Sequence, residues 1–420
     1  MKLVVQKILV IVQIAILIVS LTSSVFVSAA DQKKVVFWSS GGAQVEKALR
    51  KIIANFESEN PDIKIELQMF SDWWDLHRKT LLAVAGGTPP DASRFKPLNI
   101  GDLAAKGVVI PLDDFVKRDK ISLKDFIDVL IEKSSKYQGK LYVLPQGASA
   151  PVMYLNVDMF KEAGLNPERP PQTWDEVIRV GKKLTDPSKR QYGYWCDIST
   201  NGFLMALWQN GGEYLSKDLH EPLFNSEKGV EALEWLLSTI YIHKISPPPQ
   251  ELTSDLPILQ GKIGMWNRAN SGLSYYPTNA PKLNWKTFIF PKKVRRTSME
   301  MCEGCVIFSA SKVKEEAWKF VKYLIMNEDS ALTFFQEYGH MPVIKKYFNK
   351  PPFTTDPKLI PYRWQILNDI EARPLMPSSD LIFDTLTKEI NEAVYKNKTP
   401  RGALDDAAKQ VKEIIAKIQW

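Results

Sequence analysis

The sequence predicts an α/β protein, and three observations predict it. Val35-Val36-Phe37-Trp38 is an unbroken apolar run, the pattern of a strand buried on both faces as in a parallel sheet. It breaks into Ser39-Ser40-Gly41-Gly42, after which Val45, Leu49, Ile52, Ile53 and Phe56 recur at helical spacing. Short apolar runs and amphipathic stretches then alternate to the end of a 420-residue chain, long enough for two domains with cores of ordinary size.

The first strand and helix form a βα unit closed by Asn60-Pro61-Asp62. Ile63, Ile65, Leu67 and Met69 then alternate with Lys64, Glu66 and Gln68, which predicts a second, half-exposed strand. Open α/β sheets place ligands at the carboxyl ends of their strands, so Trp38, Ser39 and Gly41 are site candidates as well as ordinary turn residues. Leu81 to Ala85 ends a helix at Gly86-Gly87, and Pro89-Pro90-Asp91 turns into the next strand.

Further on, Leu141 to Leu144 and Val152 to Leu155 read as two buried strands joined by Gln146-Gly147-Ala148-Ser149-Ala150-Pro151. Asp158 is the expected cap of the helix that follows and Thr173 of the next. Trp195 to Asn201 is a polar loop. Phe203 to Gly212 reads as a buried helix carrying Trp208 in the core, and Gly229 to Ile242 as an amphipathic one. Cys305 to Phe308 is a strand, Lys314 to Met326 a helix, and Leu404, Ala408, Val411, Ile415 and Ile418 form the apolar stripe of the last helix.

Residues 1–30 have the pattern of a secretory signal peptide: Lys2 and Lys7, an apolar run from Ile8 to Leu21, and small residues at Val27-Ser28-Ala29-Ala30. The competing reading is an uncleaved membrane anchor, since the apolar stretch approaches the ~20 residues that span a bilayer. The formal charge of +7, or +5 without Lys2 and Lys7, is mild and interspersed, which excludes a nucleic-acid partner as the reading of choice. Three cysteines leave at least one free thiol. Cys302-Glu303-Gly304-Cys305 admits a local disulfide, a redox pair, half a metal site or two packed thiols.

A family appears when the central stretch is read whole. Gly139-Lys-Leu-Tyr-Val-Leu-Pro145, Tyr154-Leu-Asn-Val-Asp-Met-Phe-Lys-Glu-Ala-Gly-Leu165 and Pro170-Pro-Gln-Thr-Trp-Asp-Glu-Val177 resemble the middle of the extracellular solute-binding proteins that serve bacterial ABC importers. This is the carbohydrate-binding family that includes maltose-binding protein. Gly86 to Asp91, Leu103 to Asp113, Gly261-Lys-Ile-Gly-Met265, the helix bearing Ala317, Trp318, Phe320, Tyr323 and Leu324, and Gly339-His-Met-Pro342 are similar to further family segments in the same order.

The resemblance implies a two-lobed, type II periplasmic-binding-protein fold with three hinge crossings and a ligand cleft between the lobes. It divides the chain into a first lobe of residues 31–143 and 290–345 and a second of 144–289 and 346–420. It also implies further ligand contacts: Arg94, Phe95 and Lys96 after the Pro-Pro-Asp turn, Trp195, Asp197 and Asn201 on the polar loop, Trp266, Asn267 and Arg268 after Met265, and Glu303 where relatives often carry glycine or serine. Arg373 joins them from the last loop. The arginines and Lys96 together would make a basic cleft suited to an acidic sugar.

The chemistry found elsewhere in the sequence favours binding over catalysis. His77, His220, His243 and His340 are scattered, and neither a phosphate loop, a nucleophile elbow nor a metal-ligand spacing is present. Tryptophans do cluster near predicted turns: Trp38, Trp73, Trp74, Trp195 and Trp266. An indole offers a flat apolar face to a sugar ring, while amides, carboxylates and guanidinium groups take its hydroxyls. The expected function is therefore an extracytoplasmic, monomeric, cofactor-free binding protein that captures a sugar and delivers it to a permease. A secreted carbohydrate hydrolase or lyase is the alternative, since paired carboxylates need not be close in sequence.

Overall fold

The computed structural model describes residues 32–419, so the expected signal segment lies outside the described residues. The first sheet has five strands: β1 (Lys33–Ser40), β2 (Ile63–Phe70), β3 (Ala92–Phe95), β4 (Leu144–Gly147) and β8 (Glu303–Ile307), in the order β2-β1-β3-β8-β4. β1, β2 and β3 are parallel, whereas β8 runs against both β3 and β4. The second sheet is smaller and antiparallel, with β5 (Val152–Asn156) between β6 (Met265–Arg268) and β7 (Trp285–Phe288).

Packing follows the sequence pattern. Val35 and Phe37 of β1 bury one face against the helices Gly42–Glu59 and Lys314–Met326, where Phe37 meets Phe320 at 5.0 Å edge to face. Trp38 turns to the other face, with Phe95, Leu103 and Val306. The second lobe packs around the helix Thr200–Gln209, whose Phe203, Leu204, Leu207 and Trp208 are all buried. Thr173 caps the helix Trp174–Leu184 through Glu176 N, as expected. The preceding helix is capped by Asn156 rather than Asp158, because Asn156 Oδ1 accepts from both Asp158 N and Met159 N.

The hinge lies in three places. The chain leaves the first sheet after Gly147 and enters β5 at Val152. After β7, Lys292 bridges to Thr173, and Ser298–Met299 pairs in parallel with Ile370–Glu371 before the chain enters β8. In the third passage Phe353 packs on Phe335 and Phe348, and Tyr362 turns its hydroxyl to that of Tyr154 on β5 at 2.5 Å.

Candidate functional site: the floor and walls of the interlobe cleft

Strand direction gathers the first-lobe residues. β8 runs against both neighbours, so its first residue, Glu303, lies at the same end as the last residues of β1, β3 and β4. Ser39, Ser40, Arg94, Gln146 and Glu303 therefore converge at the carboxyl end of the parallel strands, where such sheets bind ligands.

Arg94 is the centre of this floor and is 0 % exposed. Its Nε donates to Gln146 Oε1 at 2.8 Å, Nη1 to Ser40 O at 3.0 Å and Ser39 Oγ at 3.4 Å, and Nη2 to Glu303 Oε2 at 2.7 Å. The rings of Phe334, Trp73 and Tyr338 lie 4.9, 5.0 and 5.9 Å from its Cζ. His340 Nδ1 approaches the same Glu303 oxygen at 2.7 Å. Burial alone would raise the Glu303 carboxyl, but the adjacent His340 and Arg94 reverse this and hold it down at about 2.

Around that ion pair the polar atoms are incompletely used. Ser40 Oγ and Gln146 Nε2, on two residues that bond Arg94, are buried without a hydrogen-bond partner, each a cost of about 1–3 kcal/mol that a ligand hydroxyl would remove; Trp38 Nε1 is likewise unpartnered, in the core beneath. Trp73 opens a helix capped by Asp72 and is half-buried, with Lys96 Nζ 5.8 Å from its ring. Trp74, its neighbour, is 64 % exposed. Phe95 is core. Gly41 has φ 123°, and a Cβ there would come within 2.7 Å of Val45 Cγ2, so its role is the backbone turn into the helix.

The second lobe contributes fewer open groups. Asp197 Oδ1 accepts from Ser199 N at 3.1 Å and Ser199 Oγ at 2.6 Å; burial nevertheless pushes the Asp197 carboxyl up, with the Asn267 amide beside it. Asn201 stands in the first turn of its helix rather than a loop, and its buried Oδ1 has no partner. Trp195 lies in the core, and its backbone N–H donates to Met265 O. Trp266 is fully buried, stacked on Tyr154 at 5.5 Å and donating to Tyr276 Oη at 2.8 Å, which removes it from the cleft wall. Arg268 is bound to Asp255 and lies over Tyr275 at 4.7 Å. Arg373 lies 4.2 Å from the Phe383 ring and next to Glu300, whose carboxyl burial pushes up to about 7.

Of the four cations expected to make the cleft basic, Arg94, Arg268 and Arg373 each face a carboxylate, while Lys96 lies by the Trp73 ring. The lobes meet across the cleft: Asn270 joins Ser149 to Gly339, and Ser378 N donates to Asp102 Oδ2 at 3.2 Å. Gln146, His340 and Asn270 were not singled out by sequence reasoning. Gln146 carried a usable signal, a polar residue between two apolar runs; His340 looked like an ordinary turn residue. Cys196, Cys302 and Cys305 are free and buried, so the Cys302-Glu303-Gly304-Cys305 segment holds two packed thiols and no disulfide.

Two α/β lobes, three linking segments and a polar floor facing a cleft define a two-lobed ligand-binding protein. The family model described as bacterial extracellular solute-binding protein matches residues 42–330, and the chain belongs to that family. A binding protein of Brucella abortus (strain 2308) is 29 % identical over 373 residues, covering 86 % of this chain and 88 % of its own. The maltotriose-binding protein of Pyrococcus abyssi is 23 % identical over 397 residues, 91 % of this chain and 82 % of that protein. Among solved structures, the ABC substrate-binding protein of Listeria monocytogenes in complex with cycloalternan superposes with a TM-score of 0.81 at 24 % identity, covering 92 % of this chain and all of the other.

Membership in this family makes the protein a binding protein and not an enzyme. Glu300 and Glu303 do differ in protonation, the pattern a hydrolase needs. Yet Glu303 Oε2 is taken by Arg94 and His340, and Glu300 accepts from Cys302 N at 2.6 Å inside the hinge segment.

Proposed function

We propose that the protein captures a sugar or oligosaccharide by closure of its lobes and delivers it to the permease of an ABC importer, acting as a monomer exported through residues 1–30. The observation that carries this reading is the floor: Ser40 Oγ and Gln146 Nε2 are buried and unpartnered beside a neutralised Arg94–Glu303 pair, next to the half-buried Trp73. Donors for hydroxyl oxygens beside an indole face are the complement of a sugar ring. The maltotriose-binding and cycloalternan-bound relatives support the same class. Contacts from both lobes would favour the closed form by differential affinity, and that form is what a permease would read.

The test is tryptophan fluorescence and melting temperature of the mature protein against mono-, oligo- and acidic saccharides, with analysis of each mixture for products. Saturable quenching, a raised melting point and intact sugar are expected. Consumption of the sugar would overturn the binding reading, and silence across the panel would overturn the carbohydrate assignment.

A further inference from the structure

Resting on the carbohydrate reading, we propose that Glu303 sets the charge selectivity of the site: by neutralising Arg94 from within the floor, it makes the cleft a receptor for uncharged saccharides and excludes their acidic counterparts.

Arg94 has no exposed surface and Glu303 is 4 % exposed, so solvent screens their charges little. A buried guanidinium at the carboxyl ends of parallel strands is what a carboxylate or phosphate ligand would seek, since bidentate pairing to such groups is the strongest use of arginine. Here that place is filled by the protein's own carboxylate. Nη2 is spent on Glu303, Nη1 on Ser40 O and Ser39 Oγ, and Nε on Gln146. His340 on the opposite side of Glu303 uses the same oxygen, and Lys96 is the remaining cation near it.

The unpartnered groups bonded into the Arg94 network are the Gln146 amide N–H and the Ser40 hydroxyl, neither of which carries charge, while Lys96 stands beside Trp73 rather than in that network. An incoming anion would meet a fixed carboxylate without gaining a free guanidinium. A neutral hydroxyl meets donors whose desolvation has already been incurred. Selectivity of this kind comes as much from the repulsive element as from the attractive ones.

The experiment compares matched pairs by calorimetry: glucose with glucuronate, galactose with galacturonate, glycerol with sn-glycerol-3-phosphate, and maltotriose as a longer neutral probe. Wild-type protein is expected to bind the neutral member of a pair at least about tenfold more tightly than the anionic one. Glu303→Gln keeps the shape of the side chain and frees the Arg94 charge, and is expected to move that ratio towards the anion by about tenfold or more. A folded E303Q protein with an unchanged ratio overturns the inference, as does a wild-type preference for the anion.

Because E303Q leaves a buried cation unpaired and can lose its fold, a second variant replaces both partners, Arg94→Met with Glu303→Met. Swapping a buried ion pair for apolar side chains is often close to neutral for stability. The net charge of the floor is then that of the wild type, so the wild-type ratio is expected to persist; a shift towards the anion in this double variant overturns the inference. Should wild type bind no neutral probe, the carbohydrate reading fails by itself. The role of Glu303 is then decided by E303Q alone: newly acquired anion binding upholds it and continued silence overturns it.

Discussion

Arg94 Nη2 and Glu303 Oε2 lie 2.7 Å apart although their residues are 209 positions apart in the chain. The pair exists because β3 and β8 are antiparallel neighbours, with Gly304 opposite Phe95 and Cys305 opposite Arg94. It also ties a strand made early to one made late, so the ion pair is as much a clamp on the first sheet as a feature of the cleft.

Arg94→Ala is accordingly expected to destabilise the protein by about 3–5 kcal/mol, since it strands a buried carboxylate. Chemical denaturation followed by far-ultraviolet circular dichroism measures the change. A loss no larger than that of an exposed arginine such as Arg78 would show that the pair does not hold the sheet.

Two glutamates in one short segment should give opposite pH dependences. Glu303 is held at about 2 against an ordinary 4.5, so its stabilisation is complete above pH 4.5 and is lost as pH falls towards 2. Glu300 is raised to about 7, so its contribution is complete below pH 4.5 and is lost as pH rises through 7. Melting temperature measured from pH 3 to pH 8 should therefore fall off at both ends. Glu300→Gln is expected to flatten the decline between pH 4.5 and 7 while leaving the acid limb in place.

Adjacent tryptophans should behave differently. Trp73 lies over Arg94 and Lys96, whereas Trp74 is largely in solvent. Trp73→Ala is expected to weaken saccharide binding by roughly tenfold or more, the size of effect seen when a buried aromatic anchor is truncated. Trp74→Ala should change affinity less than about twofold. Titration calorimetry with the best ligand of the panel distinguishes them, and equal losses would move the binding surface away from the Arg94 floor.

The three thiols should be inert in the folded protein. Burial pushes Cys196 and Cys305 up to about 12 and raises Cys302 as well, so the reactive thiolate is scarce at pH 8. Iodoacetamide is expected to label none of them under native conditions and all three in denaturant. Rapid native labelling of any one would contradict its buried placement.

Much of this architecture was legible from local pattern. Val35 to Trp38 declared a buried strand, Thr173 a cap, and Lys314 to Met326 a helix, because each depends on residues close in sequence. The site was less legible because it depends on direction. Trp266 and Asn267 are neighbours on one strand, yet alternation sends one to the aromatic core of Tyr154 and Tyr276 and leaves the other beside Asp197. A sequence names both and cannot say which face each takes. The neutralisation of Arg94 was hidden for a similar reason, since nothing near residue 94 announces a carboxylate supplied from residue 303.

The placement of β8 also governs when the first lobe can form. Its strands β3 and β4 are not bonded to each other; Glu303–Ile307 stands between them. A chain emerging from the ribosome has made the β1, β3 and β4 segments long before the strand that unites them. Pairing over such sequence separations is slow, because the loop must be closed before any contact repays it. The late strand thus delays completion of the sheet until most of the polypeptide has been synthesised, so that the first lobe closes only after much of the second has been made.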